Sequence, residues 1–89
     1  MKRWIHISFE WPSGGESERF EAVFNKAADW MKYSRNCYFF YTGRDIDEWR
    51  ERLFNIPGMK NKNILVLEID KENMSGYLPA WMWKRLGKR

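Results

Sequence analysis

His6 is the single histidine of the chain, and Glu10 follows it four residues later in a stretch that alternates with period two. On a strand that spacing puts an imidazole and a carboxylate on one face. Such a pair is the minimal equipment for general acid–base work. Glu68 and Asp70, at the end of a second clear strand, add further carboxylates. Glu10, Glu68 and Asp70 together would offer oxygen ligands to Mg²⁺. The commoner reading of each is plainer: a lone strand histidine is usually structural, and carboxylates at strand ends are usually solvated. The single cysteine, Cys37, excludes an intramolecular disulfide and a cysteine-only zinc site and fits a reducing, cytoplasmic setting. It reads as a small packing residue.

Two other strings carry weaker chemistry. Ser13-Gly14-Gly15 precedes a helix and could hold an anion on its amides, but it lacks the nucleotide-binding motifs and reads as a turn. Tyr38-Phe39-Phe40-Tyr41 could stack RNA bases. No basic-aromatic signature accompanies it, and half of the run must face a core, so packing is the better reading.

The elements that must position these residues follow from periodicity. Arg3 to Trp11 alternates, with Ile5, Ile7, Phe9 and Trp11 on one side and Trp4, His6, Ser8 and Glu10 on the other, as a strand does. Pro12-Ser13-Gly14-Gly15 stops it. Phe20, Val23, Phe24 and Ala27 then form a helical stripe, with Glu16, Glu18 and Glu21 favourably placed near the positive end of the dipole. Trp30–Tyr33 and Cys37–Thr42 read as a hairpin about Ser34-Arg35-Asn36, although residues 27–33 could also prolong the helix. Asp45 with Glu48 has the spacing of a capping box for a helix that turns Ile46, Trp49, Leu53 and Phe54 inward, and Pro57-Gly58 ends it. Ile64–Asp70 is the clearest strand, with Leu65, Leu67 and Ile69 assigned to the helix side and Ile64 and Val66 to the other. Pro79 opens a last short helix in which Leu78, Trp81, Met82 and Leu86 can pack.

Strand, helix, strand, strand, helix, strand, helix predicts an α+β domain over residues 1–89. Its expected form is a ferredoxin-like βαββαβ unit, a four-stranded antiparallel sheet with two helices on one face, plus a short C-terminal helix. The other face would carry Trp4, His6, Ile64, Val66 and one aromatic side of the Cys37–Thr42 strand. A bare apolar face is poorly tolerated in water, so a partner is expected to cover it.

Composition bounds the function classes. Eighty-nine residues make one domain, for which a partner subunit would add stability. Six Trp, six Phe and four Tyr exclude disorder. No apolar run reaches the roughly 20 residues of a membrane span, so no membrane partner is expected. The opening Met1-Lys2-Arg3-Trp4-Ile5-His6 lacks the signal-peptide pattern. The net charge of +4 resides in Lys84, Arg85, Lys88 and Arg89, leaving residues 1–83 with twelve basic and twelve acidic side chains. A generally basic groove is thus not visible in composition.

The order of elements, the Trp30-Met31-Lys32-Tyr33-Ser34 to Cys37–Thr42 hairpin, the Asp45–Leu53 helix and the Ile64–Asp70 strand resemble small Cas2-like proteins, relatives of the CRISPR adaptation subunit. Gly76-Tyr77-Leu78-Pro79-Ala80-Trp81-Met82-Trp83 is similar to the Gly-Trp-Leu-Pro-like tail of some stand-alone relatives. The resemblance implies a homodimer joined through sheet surfaces. It also implies, for nuclease-active members, a strand-end Asp that binds a divalent metal. The matching residue here is Glu10, whose extra methylene displaces the carboxylate by about one C–C bond. An error of about 1 Å can cost about 100-fold in rate, which weighs against an inherited nuclease.

Two functional expectations follow. The first is a nucleic-acid-associated homodimer binding DNA or RNA phosphates through Arg3, Lys60, Lys62, Lys84, Arg85, Lys88 and Arg89. Any catalysis would be Mg²⁺-dependent phosphodiester hydrolysis at Glu10, with His6 as the candidate base. The second is a non-enzymatic module with one protein partner, such as an antitoxin, an immunity protein or an inhibitor of a host system. Its support is an expected surplus of exposed tryptophan (Trp4, Trp11, Trp83).

Overall fold

A computed structural model describes residues 1–14 and 17–88, the last by its backbone alone. Gly15, Glu16, Arg89 and the Lys88 side chain, to which the sequence assigned a turn, a helix start and phosphate contacts, lie outside the described residues. The chain runs β1 (Arg3–Phe9), α1 (Ser17–Phe24), β2 (Asp29–Ser34), β3 (Cys37–Thr42), α2 (Ile46–Phe54), β4 (Ile64–Glu68), a single 3₁₀ turn (Lys71–Asn73) and α3 (Ala80–Lys88). The four strands form one sheet in the order β2-β3-β1-β4, with every neighbouring pair antiparallel. The expected α+β architecture is therefore present, and residues 29–34 are strand rather than helix.

The sheet has two unlike faces. Ile5, Ile7 and Phe9 of β1 and Tyr38 and Phe40 of β3 point toward α1 and α2, where they meet Phe20, Phe24, Trp49 and Leu53. Phe9 stacks on Phe20 at 5.2 Å, and Phe40 meets Trp49 edge-on at 4.9 Å. Ile56 and Met59, in the loop after α2, close this core. Gly58 makes the turn between them with φ +93°. A Cβ there would also lie 3.0 Å from Pro12 Cβ, a tight contact that adds to the preference for glycine set by the positive φ.

The opposite face carries Trp4, Met31 and Phe39, which form a second, smaller cluster with Met82 and Leu86 of α3. Here the structure corrects the expectation that a partner must cover this face. Leu78, Met82 and Leu86 recur at helical spacing, and that stripe docks on the same chain's sheet. Arg85 pairs with Asp29 at 3.1 Å and Lys71 Nζ donates to the Leu86 carbonyl, and both contacts hold the C-terminal half of the helix.

Four smaller expectations are corrected. Ile64 and Val66 lie on the α1/α2 face, because antiparallel partners share a face and they pair with Phe9 and Ile7. Leu65 and Leu67 therefore lie on the α3 face; a strand apolar at both parities cannot choose its side by alternation. Phe54 is 43% exposed, since Trp49 and Leu53 already fill the inward stripe of α2. Asp45 holds the N-cap position without a side-chain cap bond, and Glu48 pairs with Arg44 and Arg52 rather than closing a capping box. Of the tryptophans expected at the surface, Trp4 is buried and Trp11 and Trp83 are half-buried; the exposed one is Trp81.

Candidate interaction site

α3 lies over the β2/β3 side of its face and leaves the β4 side uncovered. Leu65 is 57% exposed, Leu67 38% and Tyr77 94%. Between Leu67 and the segment that leads into α3 lies a groove of about 330 Å³, floored by His6, Tyr33 and Phe39 and walled by Ile69, Met74 and Trp83. Its lining is largely apolar, with His6, Tyr33, Ser75 and Tyr77 supplying the polar side chains.

His6 and Tyr33 belong to one hydrogen-bonded set. His6 Nε2 and the Tyr33 hydroxyl are 2.5 Å apart, and Cys37 raises the Tyr33 pKa from beside it. Alternation on β1 and β2 brings them together across β3, where Phe39 lies edge-on to His6 and stacks on Tyr33. Burial lowers the His6 pKa below its ordinary 6.5, so the ring is neutral at pH 7. Burial, reinforced by the neighbouring Cys37, pushes Tyr33 up to about 12. Both shifts run away from neutrality, the reverse of the tuning a general base or acid needs. The set orders the groove floor.

The carboxylates predicted beside His6 are not gathered around it. Glu10 lies past the end of β1, where its Oε1 accepts from the Asn63 amide at 2.9 Å. Glu68 sits on the α1/α2 side at the other end of β4 and is held by Arg3 at 2.8 Å. Asp70 caps the 3₁₀ turn by accepting from the Glu72 amide and from Asn73. Among the described residues no group of three or more His, Cys, Asp and Glu could hold a metal ion. The residues around Glu10 in one chain therefore do not fit Mg²⁺ as a self-sufficient site. A shallow hollow of about 280 Å³ does adjoin Glu10, lined also by Ser8, Asn36 and Asn63.

The basic residues predicted to contact phosphate divide between the two ends of the sheet. Arg3 and Arg85 stand at the Thr42 end, in ion pairs with Glu68 and Asp29. Arg3 also donates to the carbonyls of Thr42 and Arg44. Lys60 and Lys62 lie at the opposite end, before β4, and Lys84 is exposed on α3. A seven-residue strand, about 20 Å long, separates the two sets.

Sequence reasoning missed Tyr33 as the partner of His6. It also missed Leu65, Leu67 and Tyr77 as the exposed apolar groups. The signal was present for β4: four consecutive apolar residues leave some on a second face that needs covering. Comparison with family models, curated proteins and solved structures finds no match for this chain.

Proposed function

We propose that this chain is a non-catalytic, homodimeric interaction module of ferredoxin-like fold that engages a protein partner, as antitoxins, immunity proteins and inhibitors do. The strand order, the antiparallel pairing and the packing of α1 and α2 on one face support the ferredoxin-like reading. One observation carries the functional reading: Leu67 and Tyr77 are exposed along one open groove, and Leu65, two residues before Leu67 on β4, is exposed as well. A contiguous apolar strip rimmed by polar residues is what an interaction surface presents. The inward-turned chemistry of His6, Tyr33 and Cys37 supports a role without catalysis. The test is recovery of one protein in stoichiometric amount by the tagged chain, lost in Tyr77→Glu with the fold intact by circular dichroism. A monomer that recovers no protein overturns the reading.

A second reading keeps the Cas2-like kinship and nucleic acid as the partner. It is favoured by Lys60 and Lys62 standing near the Glu10 hollow, where an alcohol and two amides add hydrogen-bonding groups. Binding by phosphate contacts would weaken steeply with salt through counterion release. No binding to DNA or RNA at low salt removes this reading. Mg²⁺-dependent cleavage lost in Glu10→Ala would instead restore the nuclease.

A further inference from the structure

The two edges of the sheet are protected very differently. β2 carries Lys32 in mid-strand, a register shift between Lys32 and Ser34, and the Arg85–Asp29 pair at its start. Charge and irregularity of this kind keep an edge from pairing with another chain. β4 is less guarded: Ile64-Leu65-Val66-Leu67 holds no charge and no proline, its one charge is the terminal Glu68 paired to Arg3, and its pairing with β1 shows no shift.

The hydrogen-bond register states which backbone groups that edge offers. The Glu10 amide donates to the Asn63 carbonyl at 3.0 Å, and the Asn63 amide turns the same way, to the Glu10 carboxylate. Antiparallel bonding alternates, so Asn63, Leu65 and Leu67 direct their backbone groups toward β1. Ile64, Val66 and Glu68 direct theirs outward, unpaired by any strand among the described residues.

We infer that β4 is a self-pairing edge. Two copies would join antiparallel about a two-fold axis at Val66, continuing the sheet from one protomer into the other. This inference rests on the homodimeric part of the reading above and names its surface. In that register Val66 bonds Val66 of the second copy, and Ile64 bonds Glu68, so all three outward-facing residues are satisfied. Leu65 falls opposite Leu67 as a close, non-hydrogen-bonded pair, and the symmetry repeats it. Both are exposed in the single chain. Charge supports the same occupant and direction: Lys60 and Lys62 precede the strand, whereas Glu68, Asp70 and Glu72 follow it. Antiparallel alignment sets Lys62 against Asp70, whereas parallel alignment would set like against like.

The register makes a specific test. Sedimentation velocity over a concentration series should show a reversible dimer for the wild type. Leu65→Lys and Leu67→Glu should each weaken it by about tenfold or more, because a charge then faces leucine in a closing interface. An equimolar mixture of the two variants should recover the dimer, since Lys at 65 of one copy faces Glu at 67 of the other. Both positions are exposed, so unchanged unfolding midpoints are expected for the monomers. A dimer indifferent to both substitutions overturns the β4 edge while leaving the homodimer standing. Variants that dissociate but fail to rescue each other overturn the register. A wild type monomeric at every concentration overturns the edge and the homodimer together. The partner-recovery experiment then judges the interaction reading separately.

Discussion

The two faces of the sheet are built from the same kinds of residue and end in different states. On one, Ile5, Ile7, Phe9, Tyr38 and Phe40 are sealed beneath two helices. On the other, one short helix covers Trp4, Met31 and Phe39, and the sheet beside it stays open as far as Leu65. Closing a face takes length as well as apolarity. α1 and α2 lie together on one side, whereas on the other side α3 alone packs against the sheet. The difference separates a side that holds the fold from a side with surface left over for binding.

Adjacent residues of β3 test that separation most strongly, because Phe39 and Phe40 point to opposite faces. Phe40→Ala should destabilise by about 4 kcal/mol, since its surroundings cannot collapse into the void, and Phe39→Ala by about 3 kcal/mol, since α3 can settle inward. Urea unfolding gives both values. Equal losses would mean that the α3 face is as rigidly packed as the other. Leu86→Ala should cost less, about 2 kcal/mol, near the lower end for buried leucine. Hydrogen exchange should then quicken in α3 while α1 and α2 keep their protection, the signature of a local opening. Uniform loss of protection would show that α3 is integral to the global unit.

How much of this could be read in the sequence depended on whether one period dominated. β1 alternates cleanly, so its two faces, and His6 on the side away from α1 and α2, were legible. α2 was legible in outline because Trp49 and Leu53 mark a stripe and Pro57-Gly58 a stop. β4 was not, because Ile64-Leu65-Val66-Leu67 is apolar at both parities and only the pairing with Ile7 and Phe9 decides its orientation. The docking of α3 was likewise outside the reach of local pattern: Met82 and Leu86 announce an apolar stripe, but nothing nearby in sequence says that its counterpart is Trp4, some eighty residues away. The Tyr33–His6 bond shares that difficulty, since it joins β1 to β2 across an intervening strand.

Titration sharpens the comparison at both ends of the pH scale. Burial on the α3 face holds the His6 pKa below 6.5. The unfolded chain therefore takes up a proton that the folded one resists, and stability falls as pH drops below 6.5 toward the native titration point. His6→Gln should flatten that slope in unfolding midpoints measured between pH 7 and 5. At the alkaline end Tyr33 and Tyr38, one on each face, are both pushed up to about 12, chiefly by burial. The unfolded chain loses those protons near pH 10 while the fold retains them, so stability falls as pH rises from about 10 toward 12. Tyr33→Phe and Tyr38→Phe should each remove part of that fall; no change with either would mean that the hydroxyls are solvated.

The finest contrast comes from making one substitution on both faces. Trp49 and Trp4 are each almost fully buried, but Trp49 Nε1 donates to Thr42 Oγ1 at 3.2 Å, whereas Trp4 Nε1 has no hydrogen-bond partner among the described residues. Replacing either with Phe removes the same ring and leaves a similar void. At Trp49 the lost hydrogen bond adds about 1 kcal/mol to that cost. At Trp4 the substitution removes an unpaired donor whose burial itself costs about 1–3 kcal/mol, which offsets much of the void. Trp4→Phe should therefore lie within about 1 kcal/mol of the wild type, and Trp49→Phe about 2 kcal/mol below it, by urea unfolding monitored at the remaining tryptophans. Equal losses at the two positions would mean that the Trp4 indole is satisfied in solution, by water entering beside α3. The second face would then be wet as well as open.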